Sequence, residues 1–111
     1  PYSSAASDVY KRQVHMLTEV PANLYGLVDR GAIKEGHYAD VIVIDENTIG
    51  SQPTSIVNDL PLEAPRLFAG AEGVEHVFCN GKEIVSGGEF TSSRPGSVLR
   101  SGTHTSNPSM V

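Results

Sequence analysis

Apolar residues along this chain fall into stretches with different periods, and each period predicts a different element. Leu17, Val20, Leu24 and Leu27 recur at helical spacing, which predicts one apolar stripe along helical segments. Two short helical pieces are expected, over 14–20 and 21–27, with Thr18 or Glu19 closing the first. Pro21 suits the opening turn of the second, where its missing N–H is harmless. Gly26 and Gly31 then punctuate the exit. Further on, Val41, Ile42, Val43 and Ile44 are apolar without alternation, the pattern of a strand covered on both faces. Once buried, each of these side chains contributes roughly 1.5–3 kcal/mol. The rest of the chain has few long apolar runs with which to cover them, so the strand is expected to belong to something larger.

Residues 50–73 read as a long connection. Pro53, Pro61 and Pro65 forbid a continuous central strand there. A loop of that length without secondary structure points to function, disorder or missing context, and missing context is the expectation here. Val74 to Cys79 and Glu83 to Val85 flank Asn80-Gly81, a strong hairpin signal because both turn residues tolerate positive φ. Period-two alternation puts Glu75, Val77 and Cys79 on one face and His76, Phe78 and Asn80 on the other. Gly87-Gly88 predicts a second reversal, after which Phe90-Thr91 pairs briefly. Residues 92–111 hold few apolar anchors, chiefly Val98 and Leu99, and His104 to Val111 is expected to fray.

Composition narrows the class. The chain has 111 residues and a formal net charge of −5. That length allows one small domain, and small chains bury proportionally little surface against their conformational entropy. Mild acidity argues against nucleic acid or an anionic membrane as partner. A single cysteine, Cys79, permits no internal disulfide, so no oxidising compartment is required. No apolar run approaches the ~20 residues of a membrane span, and a cytoplasmic location is the default expectation.

Candidate chemistry is sparse. His15, His37, His76 and His104 show neither His-x-His nor i, i+4 spacing, whereas zinc needs three or four converging ligands. Cys79 has no neighbouring base in sequence and reads as a small apolar residue. Asp40 and Asp45, five positions apart along a strand, lie ~16 Å from each other, too far for a two-carboxylate mechanism; turn and strand-end capping suits both. Arg30, Arg66, Arg94 and Arg100 could bind carboxylates bidentately, but structural ion pairing is the expectation. Ser92, Ser93, Ser97 and Ser101 form no Gly-x-Ser-x-Gly elbow, and no Gly-x-Gly-x-x-Gly or Walker pattern occurs. No catalytic, cofactor-binding or metal-ligating residue is therefore assigned.

Gly36-His-Tyr-Ala-Asp40, followed by the aliphatic run and Asp45, resembles the strand that opens the C-terminal segment of amidohydrolase-superfamily enzymes. Pro21-Ala-Asn-Leu-Tyr-Gly26-Leu27 with Asp29-Arg30-Gly31 is similar to the helix and turn before it. Gly73-Val-Glu-His-Val-Phe-Cys-Asn80-Gly81 resembles the following hairpin. The tail Gly88-Glu-Phe-Thr91 and Arg94-Pro-Gly-Ser-Val-Leu-Arg-Ser-Gly102 resembles one branch, the N-acyl-D-amino-acid deacylases or D-aminoacylases. This resemblance implies a mainly β fold with a short N-terminal helix, the incomplete C-terminal part of a small β-sandwich. It also implies a metal-dependent parent, with zinc as its metal, that hydrolyses linear amides. The partners implied are the barrel and N-terminal strands of that parent, and an N-acyl amino acid as its substrate. A cyclic amidase of the same superfamily, or a free-standing β module that binds a partner, are the alternative readings.

Ser3 to Gln13 instead resembles the in-frame translation of a transposon-end adapter used for sequencing libraries, with Asp8 to Gln13 as its mosaic end. Residues 1–13 are accordingly expected to be disordered and outside fold reasoning. Residues 14–31 are then the last helix and turn of a barrel lying upstream. Residues 32–103 form the C-terminal β segment and 104–111 a tail. The catalytic residues are expected upstream of Val14, and this chain alone is expected to be inactive.

Overall fold

A computed structural model describes residues 4–108. Two helices, α1 (Ser4–Leu17) and α2 (Glu19–Leu24), precede eight short strands. These are β1 (Val41–Ile44), β2 (Gly50–Ser51), β3 (Ser55–Val57), β4 (Arg66–Phe68), β5 (Ala71–Glu72), β6 (Val74–Cys79), β7 (Lys82–Ser86) and β8 (Glu89–Phe90). The architecture is mainly β with helix at its N-terminal side, as the resemblance implies. It divides into two compact units. The first takes the chain up to Val41, Cys79–Lys82 and the stretch from Pro95 onward; the second takes Ile42–Phe78 and Glu83–Arg94.

In the first unit, α1 runs back through residues for which disorder is the sequence expectation. Ser4 to Gln13 are helical, continuous with Val14 to Leu17; Ala, Lys, Arg and Gln in that stretch are good helix formers. Residues 1–3 lie outside the described part. Helix α1 stops at Thr18, whose hydroxyl donates back to the Val14 carbonyl at 2.7 Å, a local bond that competes with helix continuation. Pro21 sits in the first turn of α2, where no intrahelical partner for an N–H exists.

Helix α2 ends in a Schellman arrangement. Leu27 N–H reaches the Ala22 carbonyl at 2.8 Å, and Gly26 N–H reaches Asn23 at 3.1 Å. Gly26 takes the left-handed conformation, φ 68°, that this cap requires. The tail then returns over the cap. Ser106 N–H donates to the Gly26 carbonyl at 2.7 Å, and Val28 N–H donates to the His104 carbonyl at 3.1 Å, framing the Leu27–Thr105 bridge. Residues 104–106 are thus paired, contrary to the fraying expected from their polarity. Backbone hydrogen bonds hold them where apolar anchors are lacking. Residues 109–111 lie outside the described part.

In the second unit, β1, β6, β7 and β8 form one sheet in the order β1-β6-β7-β8, apart from strand ends that belong to the first unit. The turn between β6 and β7 has φ 50° at Asn80 and 80° at Gly81, both positive as a two-residue hairpin requires. Strands β7 and β8 pair antiparallel, Val85 with Phe90 and Ser86 with Glu89, so the reversal at Gly87-Gly88 is present.

Residues 50–73 correct the expectation of a structureless loop. Gly50 pairs with Glu72 and Ser51 with Ala71; Ser55, Ile56 and Val57 pair with Phe68, Leu67 and Arg66. The segment is a two-stranded antiparallel arm, broken between its two ladders. The prolines fall at the breaks: Pro53 between β2 and β3, Pro61 opening a 3-10 turn (Pro61–Glu63), Pro65 just before β4. None has to donate to a ladder, so all three are compatible with pairing on either side.

Among the described residues, Ala22 is the only buried apolar side chain, at 4 % exposure. Ile42, Val43 and Ile44 are exposed, Ile42 by 62 %. The described residues do not supply the cover that an all-apolar strand calls for. Leu17 and Leu24 of the helical stripe are likewise open.

Candidate functional site: a polar node around Arg30

The first unit is organised by one side-chain cluster. Arg30 follows the α2 cap and is 12 % exposed. Its Nη1 donates to Asp40 Oδ2 at 2.5 Å, its Nη2 to Asn80 Oδ1 at 2.9 Å, and its guanidinium stacks 4.1 Å from the Tyr38 ring centre. The other oxygen of Asp40 accepts the Asn80 backbone N–H at 2.9 Å. Asn80 Nδ2 donates to the Pro95 carbonyl at 2.9 Å. Three segments far apart in sequence (29–40, 79–82 and the tail from Pro95) are tied at one planar cation. Planar delocalised charge is what permits a fork of hydrogen bonds and ring stacking together.

Beside the node lies a shallow cleft of about 150 Å³ lined in part by Val28, Asp29, Arg30, Tyr38, Leu99 and His104. The Arg30 guanidinium is committed to Asp40 and Asn80, which makes it a tie between segments of this unit. Asp40 therefore does what turn and strand-end capping predicts. Asp45 does as well, its Oδ1 accepting the Asn47 N–H at 2.9 Å.

The other candidates are scattered. His15 lies 3.6 Å from Glu19. His76 Nδ1 is 2.6 Å from Glu83 Oε1 and its ring stacks on Phe78 at 6.4 Å, so the shared face expected of His76 and Phe78 is present. His104 Nδ1 accepts the Arg100 backbone N–H at 2.8 Å. The backbone N–H of His37 closes a turn onto Lys34. Among the described residues no three His, Cys, Asp or Glu side chains come together to hold a metal ion; the donor set present does not fit one. Cys79 is a free, half-buried thiol. Arg66 binds both oxygens of Asp59 at 2.6 Å, and Arg94 bonds the Thr91 and Ser93 carbonyls. Arg30 and Arg66 thus form the ion pairs expected of them, whereas Arg94 donates to backbone carbonyls instead.

Two partners escaped the sequence reading. Asn80 reads as a turn former, yet its amide also bridges Arg30 to Pro95. Glu83 carries no motif, and only the hairpin brings it to His76.

Residues 10–85 match a family described as the amidohydrolase family. An N-acyl-D-glutamate deacylase from Alcaligenes xylosoxydans xylosoxydans is 37% identical over 87 residues, covering 78% of this chain and 16% of its own length. An N-acyl-D-aspartate deacylase from the same organism is 29% identical over 89 residues, covering 80% of this chain and 16% of its own length. The chain thus spans about one sixth of the length of these curated relatives. No solved structure matches it.

Proposed function

The chain belongs to the amidohydrolase family, and from that premise we propose that it is a non-catalytic C-terminal segment of a metal-dependent hydrolase acting on N-acyl-D-amino acids. Amidohydrolases are generally metal-dependent, and the metal, zinc in this reading, belongs to residues outside this chain. The whole enzyme hydrolyses a linear amide, releasing a carboxylate and a free D-amino acid. This segment contributes fold and no reacting group.

The observation that carries the reading is the open aliphatic strand. Val41–Ile44 has the composition of a doubly covered strand, and three of its four residues are exposed. Exposed contiguous apolar surface of this kind marks an interface, and the relatives have about five sixths of their length beyond the matched part. Among the described residues no helix is long and apolar enough to cross a bilayer.

The test is an assay of the complete coding sequence beside this chain. Metal-replete full-length protein is expected to hydrolyse N-acetyl-D-amino acids and to leave the L-enantiomers intact. N-acetyl-D-glutamate and N-acetyl-D-aspartate head the panel because both relatives are named for acidic substrates. The 111-residue chain alone is expected to show no turnover. Hydrolysis by the chain alone, or a full-length protein inert on every N-acyl-D-amino acid, overturns the proposal.

A further inference from the structure

The tail from Pro95 onward is a strap with two side-chain acceptors, Thr105 Oγ1, which takes the Gly102 N–H at 2.8 Å, and the His104 imidazole. Arg100 N–H points at His104 Nδ1 at 2.8 Å. A backbone N–H can only donate, so Nδ1 must carry a lone pair and the ring proton must sit on Nε2. That bond closes the turn Arg100–His104 together with the His104 N–H to Arg100 carbonyl bond at 2.9 Å and the Thr103 N–H to Arg100 carbonyl bond at 3.3 Å. The same turn delivers the His104 carbonyl to Val28 N–H and, two residues on, Ser106 N–H to the Gly26 carbonyl.

We propose that His104 is a proton-sensitive latch: the neutral ring keeps the strap paired with residues 26–28, and protonation at Nδ1 releases it. A proton at Nδ1 replaces the acceptor with a second donor aimed at the Arg100 N–H, so the turn loses its side-chain bond and gains a repulsion. The sign follows directly. The strapped form is held while the ring is neutral and loosens as Nδ1 takes up a proton.

Asp29, Arg30 and Tyr38 line the same cleft as His104, with Ser97 and Thr103 as neutral polar neighbours. Arg100 lies on the strap itself. The Arg30 node is independent of this chemistry, because its bonds run between a guanidinium, a carboxylate and an amide.

Amide exchange and ring ¹⁵N shifts on the labelled full chain test the latch. At about pH 7.5 the ring shifts should report an unprotonated Nδ1. Protection factors of the Val28 and Ser106 amides should fall roughly tenfold on going to about pH 5, the scale of one lost hydrogen bond. The Asn80 amide, held by the Asp40 carboxylate, should keep its protection. His104→Asn, whose Oδ1 accepts from the Arg100 N–H without titrating, should hold Val28 and Ser106 equally at both pH values. A proton on Nδ1 at pH 7.5 overturns the proposal. So does a lack of protection at Val28 and Ser106 at that pH, an unchanged protection on acidification, or an equal loss in His104→Asn.

Discussion

The Arg30 node and the arm formed by residues 50–73 solve the same problem in opposite ways. Each must hold backbone in place with almost no apolar burial. The node does it with contacts between residues far apart in sequence, Arg30 with Asn80 and Asn80 with Pro95. The arm does it locally. Asp59 and Arg66 close its neck seven residues apart, and Asn58 Nδ2 donates to the Glu63 carbonyl at 3.0 Å. Between them the tip carries Leu62 and Glu63 at φ 59° and 55°, a conformation that costs an L residue roughly 1–2 kcal/mol. Local polar clamps can impose such strain because few alternative pairings are within reach. The difference shows which region depends on the rest of the fold: the node fails if any of three segments drifts, whereas the arm is paired within residues 50–73 alone.

Removing the cation is the most damaging way to break that contrast. Arg30→Ala leaves Asp40 and Asn80 without their shared donor and strips the Tyr38 ring of its stacking partner. With hydrogen bonds to charged groups contributing roughly 1.5–3 kcal/mol each, the Asn80 amide should lose about a hundredfold in exchange protection. Amides of β3 and β4 should be untouched. Loss in both regions at once would show that the arm is not self-supporting.

A smaller effect is expected at the α2 cap. A Cβ at Gly26 would lie 2.1 Å from the Ser106 carbonyl oxygen, in a conformation with φ 68°. Gly26→Ala should cost about 2 kcal/mol from the left-handed backbone and the displaced strap together. Protection at Val28 and Ser106 should fall while Asn80 keeps most of its own. Equal loss at Asn80 would merge the strap and the node into one cooperative element.

The smallest effect sharpens the arm. The hydrogen bond from Arg66 holds the Asp59 carboxyl below its ordinary value of 3.8, with direct attraction to the guanidinium adding to it and desolvation opposing it. A carboxylate whose folded pKa is depressed stabilises the fold above its unfolded value and loses that contribution as pH falls through the folded one. The neck should therefore weaken only below about pH 4, and modestly, because the pair is exposed and screened by salt. Exchange at Ile56 and Leu67 should rise on acidification in the native chain, and Asp59→Asn should remove most of that pH dependence. A pH response that persists in Asp59→Asn would assign the neck to backbone pairing alone.

Much of the fold was legible because its signals are local. Asn80-Gly81 and Gly87-Gly88 demand positive φ, and both reversals form where predicted. Pro21 and Thr18 sit at helix boundaries for reasons confined to one turn. The arm was missed because its prolines were read as vetoes on pairing, when two-stranded pairing asks only that each proline avoid a donating position. The helical run through Ser4 to Gln13 was missed because the adapter resemblance of that stretch carries no information about its propensity. At the node, Arg30 and Asp40 were each legible as structural groups, but nothing in the sequence links either of them to position 80.

Periodicity and turn chemistry are short-range, so the amino-acid order alone determined the reversals at Asn80-Gly81 and Gly87-Gly88 and the apolar character of the strand at Val41. Which side chains meet across 40 or 50 residues depends on how the segments pack. Tertiary structure alone therefore decided that Asn80 bridges Arg30 to Pro95, that the tail straps the α2 exit, and that the strand's faces stay open.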